Sequence, residues 1–159
     1  MRVISVAFVA ALVGGVAIAA PAVSPQIRLT PEEIASKPVE GAGTGTSGVT
    51  GIQTTTLQGD PSKAGIYTIR VSIPPNTTIA AHTHRDNRAA VVVSGTWYFG
   101  YGRVANAGAT KPLKPGSFYT EPADMAHFAI TKGEPAVVYI TGFGPSDTIY
   151  VNAANDPRH

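Results

Sequence analysis

Cysteine is absent from the 159 residues. That excludes disulfides, thiol nucleophiles, cysteine–zinc centres and lipid attachment through a leading cysteine. Charge is scarce as well: 14% of residues are charged and the formal balance is +2. So small an imbalance gives no basic face for nucleic acid and no polybasic membrane patch. Tryptophan occurs once. After residue 40 no run carries a helix-length period, and no internal repeat is present. The chain lacks a P-loop, a dinucleotide-binding fingerprint and a G-x-S-x-G nucleophile elbow; the glycines of "YFGYGR" open no helix and make no phosphate loop.

Glycine (17) and proline (13) are plentiful and break the chain into short pieces. The first twenty residues, "MRVISVAFVAALVGGVAIAA", hold one Arg and then an uncharged apolar run ending in Ala17-Ile18-Ala19. This is the layout of a secretory signal peptide, residues 1–19, which places the protein in the periplasm or outside the cell with no membrane contact after cleavage. Residues 20–50 read as a loosely structured N-terminal extension lying outside the domain. It holds one short helix, with Thr30 as cap, Pro31 in the first turn and Glu32 and Glu33 at the positive end of the dipole. "GAGTGTSGVTG" is too rich in Gly, Ser and Thr to pack.

From residue 51 to 151 the texture changes. "IQTTTLQ", "GIYTIRVSI", "TIAAHTH", "RAAVVVSGTWYFGY", "SFYTE", "HFAIT", "AVVYITGF" and "DTIYV" alternate with turn clusters such as "PPN", "RDN" and "NAGATKPLKPG". Short β-branched and aromatic runs at this spacing predict an all-β antiparallel sandwich or barrel. Tyr67, Trp97, Phe99, Tyr101, Phe118, Phe128 and Tyr139 are expected mostly in its core. Parity counted from His84 would turn Tyr98 inward unless Gly95 carries a bulge. Residues 152–159 read as a frayed tail.

Three of the four histidines form one pattern. His82 and His84 share a face if residues 78–84 are extended. His127 opens another strand, and two or three imidazoles on facing strands can reach one metal ion.

These residues resemble the two cupin motifs. In the first, His82, His84 and Gly95 fall in register around the strand "AAVVVSG". In the second, Gly116, Pro122 and His127 do so within "GSFYTEPADMAHF". Asn76 and Asp124 stand where the motifs have glycine, and Thr131 replaces the final asparagine. Arg88 occupies the position of the family's glutamate ligand. The resemblance implies a double-stranded β-helix, or jelly roll, holding a divalent ion (Fe, Mn, Ni or Zn) on three imidazoles. Some cupin dioxygenases are similar in using three histidines alone. An arginine about 5 Å from such an ion is repelled by about 7 kcal/mol at an effective dielectric of 20. Three outcomes follow: the metal is lost, Arg88 turns onto a carboxylate, or Arg88 grips an anionic substrate.

Glu121 is the carboxylate within reach, either as fourth ligand beside His82, His84 and His127 or as partner of Arg88; both Glu121 and Arg88 are candidate catalytic residues. Asp86, off the glutamate position by two, is a lesser ligand candidate. The expected function is metal-dependent, oxygenase-like chemistry on a small molecule, with a non-catalytic ligand-binding or metal-sensing barrel as the alternative. Pairing through edge strands would make a homodimer.

Overall fold

A computed structural model describes residues 25–159. The signal-peptide reading lies outside the described residues. Among the described residues no helix is long and apolar enough to cross a membrane.

Ten strands form: β1 (Gln53–Gln58), β2 (Gly65–Ile73), β3 (Thr78–Thr83), β4 (Arg88–Ser94), β5 (Trp97–Tyr101), β6 (Lys111–Leu113), β7 (Phe118–Glu121), β8 (His127–Ile130), β9 (Ala136–Gly144) and β10 (Ile149–Tyr150). They make two five-stranded antiparallel sheets, β1-β2-β9-β4-β7 and β10-β3-β8-β5-β6. The architecture is the all-β jelly roll. Strand alternation is clean where it matters: Tyr67, Ile69, Val71 and Ile73 of β2 and Ala136, Val138 and Ile140 of β9 are all buried. They meet Ile79, Trp97, Phe99 and Ala129 from the second sheet in one core.

The expected runs became strands, with one addition. β6 lies in "NAGATKPLKPG", which reads as turn. It is a three-residue edge strand paired only to β5, and its Pro112 is tolerated because an edge strand leaves one row of amides unpaired.

Parity does reset at Gly95. The register of β4 against β9 shifts between Val92 and Ser94, and Gly95 turns the chain at φ 72° into the other sheet. Trp97 and Phe99 therefore face inward, whereas Tyr98 is half-buried under the Lys132 ammonium, 4.1 Å from its ring. Tyr101 and Phe118 are exposed, against expectation. A Cβ on Gly95 would stand 1.9 Å from the Pro135 carbonyl oxygen. Gly95→Ala is expected to destabilise the chain by about 1–3 kcal/mol through overpacking and backbone strain, read as a lower urea midpoint.

Two substitutions in the motif turns are accommodated by conformation. Asn76 (φ 56°) and Asp124 (φ 60°) both take the left-handed form a glycine would take. Thr131 does the pinning an asparagine would do: its hydroxyl donates to the Pro74 carbonyl at 2.5 Å and accepts from the Thr77 amide at 2.9 Å.

The N-terminal helix α1 (Pro31–Ala35) forms as expected, with a complete Thr30/Glu33 capping box. The glycine-rich segment after it differs from expectation. Gly45, Thr46 and Ser47 are buried. Ala42 and Val49 of the segment pack against the core, and residues 45–47 between them, which carry no apolar side chain, are held through their carbonyls. Nor is the C-terminal tail simply frayed, since Arg158 donates to the Thr148 carbonyl at 2.9 Å.

Candidate metal centre

β3, β7 and β8 bring the site together. His82 pairs across the second sheet with His127, and a register shift between Ile79 and His82 turns β3 so that His82 and His84 are both buried. Potential ligand atoms of His82, His84 and His127 lie within 4.8 Å of one another. The ring centroids are 4.4–5.1 Å apart.

Each ring is oriented by its Nδ1. His82 Nδ1 donates to the Ala80 carbonyl at 2.8 Å, His127 Nδ1 to the Met125 carbonyl at 3.1 Å, and His84 Nδ1 to the Asp147 carbonyl. A proton on Nδ1 leaves Nε2 bare, with its lone pair directed into the cup. Nε2 of His84 and of His127 are buried without a hydrogen-bond partner. Two orphaned imidazole nitrogens in a dry interior are costly unless an ion takes their lone pairs. The residues fit a divalent metal.

Arg88 turns onto a carboxylate. It lies directly across from Glu121 in the β4–β7 ladder. Its Nε donates to Glu121 Oε2 at 2.6 Å, its Nη2 reaches the same oxygen, and its Nη1 donates to the Gly45 carbonyl at 2.7 Å. Glu121 Oε2 is meanwhile 3.7 Å from His84 Nε2 and 3.6 Å from His127 Nε2. Ligand atoms on one ion at ~2.1 Å sit roughly 3.0–3.4 Å apart, so Glu121 is a carboxylate beside the imidazoles as well as the partner of Arg88.

Asp86 is not in the cup. It accepts from the Tyr67 hydroxyl and the Ser146 hydroxyl, each at 2.7 Å, and joins β2, the β3–β4 turn and the 144–146 loop. Both oxygens are spent there, which removes it as a ligand.

The electrostatics suit a cation site at neutral pH. Burial lowers His82 to about 3, aided by the charge of His127. Burial and then Arg88 push His84 lower still, and burial lowers His127 against the pull of Glu121. Burial alone would raise Glu121, but Arg88 and the neighbouring imidazoles outweigh it and hold the carboxyl below its ordinary value. The ligands are thus deprotonated without help from the metal. The unfolded histidines titrate near 6.5 and bind protons that the folded ones refuse. Metal-free stability is therefore complete above that pH and falls as pH drops towards about 3. Each histidine contributes a slope of up to about 1.4 kcal/mol per pH unit. Urea midpoints of the metal-free chain are expected to fall steadily from pH 7 to 4, with a shallower slope in His82→Gln.

The cup adjoins a partly open chamber of about 40 Å³ between the sheets. Its walls are mainly apolar, from Val71, Ile79, Val138 and Ile140, with Phe99 stacked 5.5 Å from the His127 ring. The segment 45–47 covers it. Three successive carbonyls are each held by a buried side chain: Gly45 by Arg88, Thr46 by the Thr148 hydroxyl at 2.7 Å and Ser47 by the Tyr150 hydroxyl at 2.6 Å. Each of the three side chains also adjoins the cup. Arg88 holds Glu121, the Thr148 hydroxyl is 3.4 Å from His84 Nδ1, and the Tyr150 ring is 5.6 Å from that of His82.

The sequence reading missed this cover and missed Tyr119, which lines the chamber. A signal for Tyr119 was there: it precedes Glu121 by two on a strand and shares its face.

Residues 69–142 match the family model described as Cupin domain. Germin-like protein subfamily 1 member 20 of Arabidopsis thaliana is 30% identical over 95 residues, which are 57% of this chain and 43% of that protein. The chain thus spans less than half the length of the curated relative it matches. Among solved structures, the polyketide cyclase RemF of Streptomyces resistomycificus superposes with a TM-score of 0.61 at 16% identity, covering 84% of this chain and 90% of its own. An RmlC-like cupin of Shewanella frigidimarina gives 0.56 at 15%, covering 76% and 92%. At such identities the likeness is one of fold.

Proposed function

From the match of residues 69–142 to the Cupin domain model and the jelly-roll fold, we propose that the chain is a cupin and a metal-dependent enzyme acting on a small molecule, with oxygenase-like chemistry as the leading reaction type. The observation that carries this reading is the pair of orphaned Nε2 atoms of His84 and His127, clustered with His82 beside an apolar chamber that His82 and His127 line. Solved relatives of the fold are named for a cyclisation and for an isomerisation of a sugar phosphate, so the fold permits several reactions and the choice rests on the chamber.

His82, His84 and His127, with Glu121 beside them, would hold the ion; when bound, it supplies Lewis acidity or a redox centre for O₂. The chain's own groups then have limited parts. The apolar walls exclude water. Arg88 fixes the Glu121 carboxylate and neutralises it, so Glu121 is a poor general base while that pair stands. Arg88 itself is committed, with three of its five N–H donors held by Glu121 and Gly45, which makes it a poor clamp for an anionic substrate. The reading therefore shifts from an anionic to a neutral substrate. A chamber of about 40 Å³ is far smaller than the ~300–1,000 Å³ of ordinary ligand pockets. Anything larger than a few atoms needs the 45–47 segment to lift.

The reading includes export, which rests on residues 1–19 alone. The test is to load metal-free protein with Fe(II), Mn(II), Ni(II) or Zn(II), measure bound metal by plasma mass spectrometry, and follow O₂ uptake with a panel of small neutral compounds. Stoichiometric metal with substrate-dependent O₂ uptake is expected for a redox-active ion. Metal without any O₂ uptake would leave a binding barrel in place of an oxygenase.

A further inference from the structure

Two polar atoms lie near one another in the chamber, the Trp97 indole N–H close enough to the Tyr119 hydroxyl to act on it, yet neither makes a well-formed hydrogen bond. The Trp97 indole N–H and the Tyr119 hydroxyl are both buried without a hydrogen-bond partner, on side chains that are 4% and 6% exposed. Both residues line the chamber. They come from different sheets, Trp97 from β5 and Tyr119 from β7, so no single turn or strand edge explains them. Phe99 lies between this pair and the metal cup, its ring 4.3 Å from that of Tyr119 and 5.5 Å from that of His127.

A buried polar atom left unpaired costs about 1–3 kcal/mol, and two side by side demand an explanation. Indole N–H donates only, and a phenol donates equally well. What both can satisfy is one oxygen that accepts two hydrogen bonds. Its charge follows from the surroundings. Arg88 is the one cationic side chain among the described residues lining the chamber, and it is committed to Glu121 and Gly45. The Glu121 carboxylate, two residues from Tyr119 on the same face, opposes a second anion. A phenol, with an ordinary pKa of about 10, keeps its proton at neutral pH.

We propose that Trp97 Nε1–H and Tyr119 Oη–H form a two-donor subsite for the neutral carbonyl oxygen of a small, otherwise apolar molecule, one aromatic layer from the histidine cup. This rests on the chamber being the ligand site of the proposed function, and it names the class of ligand: an uncharged carbonyl compound and not a carboxylate or phosphate.

The single tryptophan makes the test local, because the full-length ¹⁵N-labelled chain has one indole N–H resonance. Metal-free protein is titrated with acetone, with its hydrocarbon isostere isobutene and with acetate. Acetone is expected to move the indole N–H downfield along a saturating curve. Isobutene and acetate should give no such curve, and Tyr119→Phe should weaken acetone about tenfold, the loss of one hydrogen bond of about 1.4 kcal/mol. The spectrum itself reports whether Tyr119→Phe is folded. If it is not, Trp97→Phe titrated with ¹³C-carbonyl acetone and read at the carbonyl carbon supplies the same comparison. An indole resonance unmoved by acetone, equal responses to acetone and isobutene, saturable acetate binding, or unchanged affinity in the variant would each overturn the subsite. Because this titration needs no metal, its failure is distinguishable from failure of the metal assay.

Discussion

Arg88→Met is expected to destabilise the metal-free chain by about 3–5 kcal/mol, the usual loss when one partner of a buried ion pair is removed. The substitution leaves the Glu121 carboxylate in a dry interior and the Gly45 carbonyl without its donor. Methionine fills most of the vacated volume, so the loss reports charge and hydrogen bonding more than packing. The double variant Arg88→Met/Glu121→Leu should recover most of the stability, because a buried pair replaced by apolar groups of similar size is often neutral or better. Metal separates the two. In Arg88→Met the freed carboxylate faces the imidazoles without a competing cation, so metal should bind more tightly than to the parent chain. In the double variant affinity should fall. Urea unfolding with and without 1 mM Zn(II) checks all four combinations. Equal metal affinity in the single and double variants would exclude Glu121 from the metal shell.

The second large effect is at the histidines. The chain should bind close to one divalent ion, and His82→Ala/His84→Ala should bind none, as measured by plasma mass spectrometry after equilibrium dialysis. Saturation at a thousandfold excess over the dissociation constant adds about 4 kcal/mol to stability. For a chain of this size that is a rise in melting temperature of roughly 8–16 °C. The double variant should show no metal-dependent shift. Its own metal-free stability falls by less than the lost packing of two rings, since the orphaned Nε2 of His84 is removed with them. A parent chain that takes up no ion under these conditions would refute the metal centre.

Much of this was legible in the sequence, for physical reasons that can be named. The strands were visible because runs such as "GIYTIRVSI" alternate on a half-buried surface, and turn residues stand between them. The imidazole cluster was visible because strand parity is local: two histidines two apart share a face. Arg88 and Glu121 were named as possible partners, but only the β4–β7 register decides that they sit opposite one another. What stayed hidden depends on long-range pairing or on the backbone. β6 has a turn-like composition and exists because β5 offers it an edge. Gly45–Ser47 look unpackable by side-chain chemistry and are packed by their carbonyls. Tyr119 is unremarkable by residue type, and it matters because Trp97 arrives from the other sheet.

The three carbonyl anchors over the chamber also set a tempo. Side-chain-to-carbonyl bonds of this kind contribute about 0.5–1.5 kcal/mol each. Releasing three together leaves the segment lifted in roughly one molecule in a hundred at any instant. Ala42 and Val49 on either side stay packed on the core, so the three carbonyls are the part that lets go. On the proposed function, passage under this segment would set an upper limit on turnover. Because Arg88, Thr148 and Tyr150 each lean on the cup, whatever steadies the histidines also lengthens the residence time of what is trapped beside them.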